Sequence, residues 1–182
     1  MDSRASIESV NESTLYIDKL PRATQHAFSF CAKLSFLKNS SWYLAGGTAL
    51  ALQVGHRQSV DLDFFTPQPN PRITDLERKL LATGEWNTRF REGGTMYGIL
   101  KKTSVSFIAY PFFQPSPKRI RYGNLKILIP RDIAAMKIVA ISQRGKKRDF
   151  VDLYWYCKHK DPLGDIILRA MKQYPGQEHN AQ

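Results

Sequence analysis

The stretch from Ser41 to Phe65 leaves this chain few ways to fold. Ser41–Ala45 (SWYLA) is a short aromatic and aliphatic run that suits a strand and stops at Gly46-Gly47. Thr48–Val54 (TALALQV) reads as a short helix closed by Gly55. Ser59–Phe65 (SVDLDFF) alternates and reads as a second strand, halted by Pro67, Pro69 and Pro71. Strand, glycine pair, helix and strand in immediate succession point to a mixed α+β core.

The same stretch carries the chemistry. Residues two apart in a strand point to one face, so Asp61 and Asp63 project together while Leu62 and Phe64 pack the other side. Neighbouring carboxylates repel unless something positive sits between them. Mg²⁺ (or Mn²⁺) fits, because a hard cation takes oxygen ligands and keeps company with phosphates. Glycines at 46 and 47 would let a phosphate approach the backbone at a helix N-terminus, where amides are unpaired and the dipole is positive. Thr48 adds a hydroxyl donor, and Arg57, between the two elements, could reach a phosphate with a planar fork. A DxD pair alone is common on surfaces and a GG alone is a turn; their order along strand, turn, helix and strand makes the combination specific.

Elsewhere the elements are read from periodicity and punctuation. A helix is expected from Pro21 to about Leu37, and another over Ile73–Leu81 with Thr74 as its cap. Met96–Lys101 and Ser104–Tyr110 suit a hairpin turning near Lys102-Thr103, and Leu125–Ile129 a strand. Asp132 can cap a helix to about Gln143, Gly145–Arg148 reads as a basic loop, and Asp149–His159 as a further helix. Residues 1–13 and 174–182 are polar and expected to be loosely ordered. The longest weakly polar stretch, Trp42–Val54, is too short and too polar to span a bilayer, and the first residues hold no apolar core of a secretory signal. Cys31 and Cys157 stand in no metal spacing and read as free thiols of a reducing cytoplasm.

Charge points to the partner. Twenty-seven Lys+Arg against 16 Asp+Glu give +11, a surplus that suits a polyanion as well as a merely solvated surface. The cations gather in Lys118, Arg119 and Arg121, and in Arg144, Lys146, Lys147 and Arg148, candidates for holding an RNA backbone. No basic amphipathic helix stands out, which leaves no case for a membrane. Lys137, with Ile133, Ala140 and Ile141 on its helix stripe, either snorkels to solvent or faces an anion. Asp149 and Asp152 have a capping role at a helix start, or a catalytic one as further carboxylates.

With these residues in view, Tyr43–Thr66 (YLAGGTALALQVGHRQSVDLDFFT) resembles the signature of the AbiEii/AbiGii-type toxin nucleotidyltransferases, which include the MenT toxins, within the polymerase-β nucleotidyltransferase superfamily. Arg131–Tyr156 (RDIAAMKIVAISQRGKKRDFVDLYWY) resembles that family's D…K helix and RDxxD segment, so the likeness spans roughly Ala27 to Tyr156. The resemblance implies a mixed β-sheet nucleotidyltransferase core flanked by helices over 1–130, a helical segment completing the site over 131–173, and a frayed tail over 174–182. It implies Gly46, Gly47 and Thr48 as the phosphate-binding turn, Asp61 and Asp63 as metal ligands, Lys137 as a triphosphate contact, and Asp149 or Asp152 as a further carboxylate. Ser59 matches the serine of the family's SxDxD segment, at the mouth of the site. It also implies transfer of a nucleoside monophosphate from a triphosphate to RNA, with tRNA as acceptor and a cognate antitoxin. Many members of the superfamily carry a third carboxylate on a later strand; Ser104–Tyr110 (SVSFIAY) has none. Two other activities use the same cradle: nucleotide or RNA binding with weak catalysis, and phosphotransfer.

Overall fold

The computed structural model describes residues 15–176 and, before them, the backbone of an edge strand, β1 (Ile7–Ser9). Eight strands form one mixed sheet in the order β1-β7-β8-β2-β3-β6-β5-β4. The others are β2 (Tyr43–Ala45), β3 (Leu62–Thr66), β4 (Trp86–Glu92), β5 (Thr95–Leu100), β6 (Thr103–Ala109), β7 (Arg119–Tyr122) and β8 (Leu125–Leu128). Central β3 runs antiparallel to β2 and parallel to β6. The helices are α1 (Arg22–Cys31), α2 (Ser35–Lys38), α3 (Gly46–Val54), α4 (Ile73–Leu81), α5 (Pro130–Arg144), α6 (Lys147–His159) and α7 (Leu163–Gln173). This is the α+β architecture expected, and among the described residues no helix is long and apolar enough to cross a membrane.

The two faces of the sheet do different work. On one, Phe64 and Phe107 stack at 4.9 Å and Trp42 and Trp86 pack edge-on to Phe107, in a core closed by α1 and α4. On the other, Phe65 stacks on Tyr43, and α5 and α6 pack with α3 beside β3.

Several expectations from sequence are corrected. The helix expected over Pro21–Leu37 is two, α1 and α2, because the Ala32 carbonyl turns out of the helix to accept the Asn124 N–H from the β7–β8 turn. The second strand starts at Leu62, three residues late: the Asp61 carbonyl is taken by the Thr48 hydroxyl, which ties residues 59–61 to α3 and keeps them out of the ladder. Thr74 lies inside α4, and no side chain caps that helix. Asp132 does not cap α5, which begins at Pro130. Its buried carboxylate instead accepts from the Ser116 amide and hydroxyl, Arg169 and Gln173, joining α5 to α7.

The hairpin turn falls at Lys101-Lys102, both at positive φ (47° and 67°), the mirror-image geometry that matches strand twist. The supposed basic loop is partly helix, since α6 starts at Lys147. β4, β7 and α7 were not foreseen. Of residues 1–13, Ile7–Ser9 pairs in parallel with β7 and the others lie outside the described residues. Tyr174, expected in the loosely ordered tail, is buried against Phe113; residues 177–182 lie outside the described residues.

Candidate active site

The site begins where β2 becomes α3. Gly46 sits at φ +73°, and a Cβ there would come within 3.0 Å of Asp63 Oδ2. At Gly47 a Cβ would stand 2.4 Å from Arg57 Nη2. The two glycines thus let α3 start flush against a carboxylate and a guanidinium. No side chain caps α3, so its first amides meet the cleft with the positive end of the helix dipole.

Asp61 and Asp63 line this cleft, of about 260 Å³, together with Gly46, Gly47, Ser59 and Lys137. Asp61, expected on one strand with Asp63, precedes β3, yet both side chains reach the same space. Burial pushes the Asp63 carboxyl above its ordinary range; a hydrogen bond from Ser106 Oγ (2.7 Å) pulls it down and the Asp61 charge pushes it up again. Asp61 has Arg148 at 3.5 Å. In the parallel register Asp63 pairs with Ser106, so a hydroxyl stands on β6 beside the acids.

Behind them lies a buried ionic lattice. Lys137, 4% exposed, donates from Nζ to Asp149 Oδ1 (2.8 Å) and meets Asp152 Oδ2 at 2.7 Å. Asp149 also accepts from Arg144 (2.9 and 3.0 Å). Asp152 takes a fork from Arg57 (2.6 and 2.9 Å) and contacts His56 Nε2 at 2.7 Å. Burial alone would raise both carboxyls; the hydrogen bonds from Arg144 and Lys137 to Asp149, and from His56 and Arg57 to Asp152, outweigh it and hold both below the ordinary range. Neither acid lines the cleft. Lys137 therefore neither snorkels nor waits unpaired; it is fixed between two carboxylates with its face to the cleft.

The remaining sequence candidates divide by location. Thr48 is buried and its hydroxyl is spent on Ser59 Oγ (2.8 Å) and the Asp61 carbonyl. Ser59, Arg57, Arg144 and Arg148 line the cleft, and Lys146 and Lys147 are exposed at the start of α6 beside it. Lys118, Arg119 and Arg121 do not join them. Arg119 lies over the Tyr43 ring at 5.1 Å and donates to the Ser116 carbonyl, and Arg121 reaches the Lys38 carbonyl at 3.4 Å. Sequence reasoning missed the apolar wall of Phe65, Tyr110, Ile133 and Met136, and also Ser106 and His56. A histidine beside Arg57 was the only signal for the last.

The donor set suits a divalent cation. Two carboxylates from one segment share the cleft, the burial of Asp63 leaves its charge under-solvated, and no other His, Cys, Asp or Glu joins them in a cluster of three among the described residues. A hard ion that keeps part of its shell for phosphates and water fits that pair; a closed all-protein cage does not.

A mixed sheet whose central strand and the residue before it bring two acids to an uncapped glycine-started helix defines the nucleotidyltransferase class of fold. The chain superposes on JHP933 from Helicobacter pylori with a TM-score of 0.53, at 21% identity, over 78% of this chain and 68% of that one. It superposes on the Megavirus polyadenylate synthase at 0.51 (13% identity, 78% of this chain, 32% of that one). With the antibiotic-resistance factor ANT(2'')-Ia the score is 0.54 (11%, 75% and 84%). An uncharacterized protein of Aquifex aeolicus, aq_aa25, is 34% identical over 138 residues, 74% of this chain and 67% of that protein. The family described as nucleotidyl transferase AbiEii toxin, Type IV TA system, matches residues 34–124 and 121–180, and the chain belongs to it.

Proposed function

We propose that the chain moves a nucleoside monophosphate from a nucleoside triphosphate to a hydroxyl of an RNA, with tRNA as the acceptor, and that it does so with Mg²⁺, for which Mn²⁺ can substitute. The observation that carries this reading is the meeting of Asp61, Asp63, the Gly46–Gly47 start of α3 and Lys137 in one cleft. Asp61 and Asp63 would hold the metal, which when bound neutralises and orients phosphate oxygens. The amides of Gly46 and Gly47, the Ser59 hydroxyl and the Arg57 and Lys137 cations would bind the triphosphate; the apolar wall would take the base. The acceptor oxygen bonds to the α-phosphorus as the bond to the bridging β-oxygen breaks; pyrophosphate leaves and the hydroxyl proton passes to water. Lys137, Arg144 and Arg148 face the charge that grows on the departing phosphates.

Thr48, Asp149 and Asp152 act in this reading through others: Thr48 sets the Ser59–Asp61 strand approach, and the two buried acids aim Lys137, Arg57 and Arg144. The division of labour follows the chain, with acids from residues 1–130 and cations chiefly from 131–173. Lys146 and Lys147 would hold RNA phosphates without reading sequence. Family membership supports a toxin with a cognate antitoxin, acting in the cytoplasm. Ser106, standing where an acid would complete the set, favours a second reading, a nucleotide-binding module with little catalysis.

One assay separates them. The protein is incubated with total tRNA, Mg²⁺ and each α-labelled triphosphate. Label reaching RNA, and lost in Asp61→Ala with the fold intact, is the expected result; bound nucleotide without transfer supports the second reading, and transfer surviving Asp61→Ala refutes the site.

A further inference from the structure

A second cleft, of about 370 Å³, opens on the far side of Asp61 and Asp63 and shares both acids with the first. It lies on the face of β4–β6 opposite α4, and the register lays out its floor. Asp63 pairs with Ser106, Ser106 with Tyr97, and Tyr97 with Phe90, so one row of side chains runs from the acid across β6 and β5 to β4. Three strand spacings make this row roughly 14 Å long, room for two or three nucleotides.

The row is unusual for a surface. Tyr97 is 43% and Phe90 45% exposed, and their rings lie side by side, centroids 5.7 Å apart and tilted by 37°. The ladder shifts register between Thr88 and Phe90, and the extra residue, Arg89, is thereby aimed into the cleft, where it makes no ion pair or hydrogen bond among the described residues. Its neighbours behave differently: Thr88 bonds to Glu77, and Arg91 pairs with the same carboxylate at 3.2 Å. Across the acids, Arg148 forms the opposite lip. Two exposed aromatic rings, with a guanidinium that has no partner among the described residues and a second one, Arg148, across the acids, suit unstacked bases and a phosphate.

We propose that this face is the acceptor track: a single-stranded polynucleotide end stacks its last bases on Tyr97 and Phe90, sets a phosphate on Arg89, and so brings its terminal hydroxyl to Asp61 and Asp63. The triphosphate then occupies the first cleft and the acceptor the second, with the acids as the shared wall. This deepens the nucleotidyl-transfer reading and rests on it.

The test uses the full chain and keeps the two ideas apart. Binding of a fluorescein-labelled single-stranded RNA of about eight nucleotides is followed by anisotropy without triphosphate, and the thermal shift with Mg²⁺ and each triphosphate is read separately. Tyr97→Thr and Phe90→Thr, which keep strand propensity, weaken RNA binding about five- to hundredfold each and leave the triphosphate shift unchanged. Tyr97→Trp restores binding, and Arg89→Gln lowers the salt slope by about one. In transfer, the same variants raise KM for RNA and not for the triphosphate. The proposal is overturned if the folded Tyr97→Thr/Phe90→Thr double variant binds the RNA like the wild type, or if the wild type binds only duplex RNA or a peptide. Absence of any triphosphate shift in the wild type would instead sink the nucleotidyl-transfer reading, with the RNA arm still scored on its own.

Discussion

Asp152→Asn asks whether the buried acid behind the cleft is scaffold or reagent. Asp152 is fully buried and faces three partners: His56, the Arg57 fork and Lys137. Removing one member of a buried ion pair costs about 3–5 kcal/mol, since the other charge is left uncompensated. Here two features place the cost at the lower end. Lys137 keeps Asp149 at 2.8 Å, and Arg57, 21% exposed, can turn to water. A loss of about 3 kcal/mol is expected; with a urea dependence of about 2 kcal/mol/M, the midpoint falls by about 1.5 M. The sign with pH is fixed by the lowered carboxyl. Its contribution is complete above the unfolded-state value near pH 4 and is lost as pH falls through the folded one, so the variant has the shallower acid limb. Urea melts by circular dichroism at pH 7 and below pH 4 measure both effects. A variant as stable as the wild type at pH 7, yet inert in transfer, would refute the scaffold argument and make Asp152 a chemical group.

Three further outcomes follow from the same geometry. Asp63→Asn removes a carboxylate that folding holds above its ordinary range; ionisation of such a group lowers stability as pH rises from the unfolded toward the folded value. The metal-free variant should therefore melt higher at neutral pH, by about 2–4 °C for a change of about 1 kcal/mol in a chain of this size, while losing transfer; a lower melting temperature contradicts this. Gly46→Ala must hold φ +73° with a Cβ at 3.0 Å from Asp63 Oδ2, so it should cost about 1–2 kcal/mol and depress transfer, read by melt and label incorporation. Mg²⁺ with the preferred triphosphate should raise the melting temperature, and Asp61→Ala should abolish that shift in differential scanning fluorimetry.

The sequence showed most clearly what is encoded over short distances. Gly55 closes α3 at φ +63° as expected, because a helix stop is a backbone matter settled by glycine, whereas the start lies at Gly46, two residues before the expected Thr48. Strand alternation does not place Asp61, which precedes β3, but its closeness to Asp63 along the chain lets both reach one cleft. What stayed hidden depends on partners far along the chain. Asp132 and Asp149 looked like caps because each opens a helical run; Arg169 and Gln173, and Lys137 and Arg144, claim them. Arg119 and Arg121 read as a free basic group because their strand is made by pairing with β8 and β1, and no local pattern announces it. Tyr97 and Phe90 escaped notice because an aromatic's exposure is set by which helices cover its sheet face.

The two ends of the ionic lattice are made at different times. Proteins emerge N-terminus first, and a polypeptide translated only as far as β8 holds both aspartates and the glycine start of α3 but none of Lys137, Arg144 or Arg148. A nascent copy that ends at β8 thus holds the acids without the cations, and the cleft gains its second wall only once α5 and α6 have been synthesised and have docked.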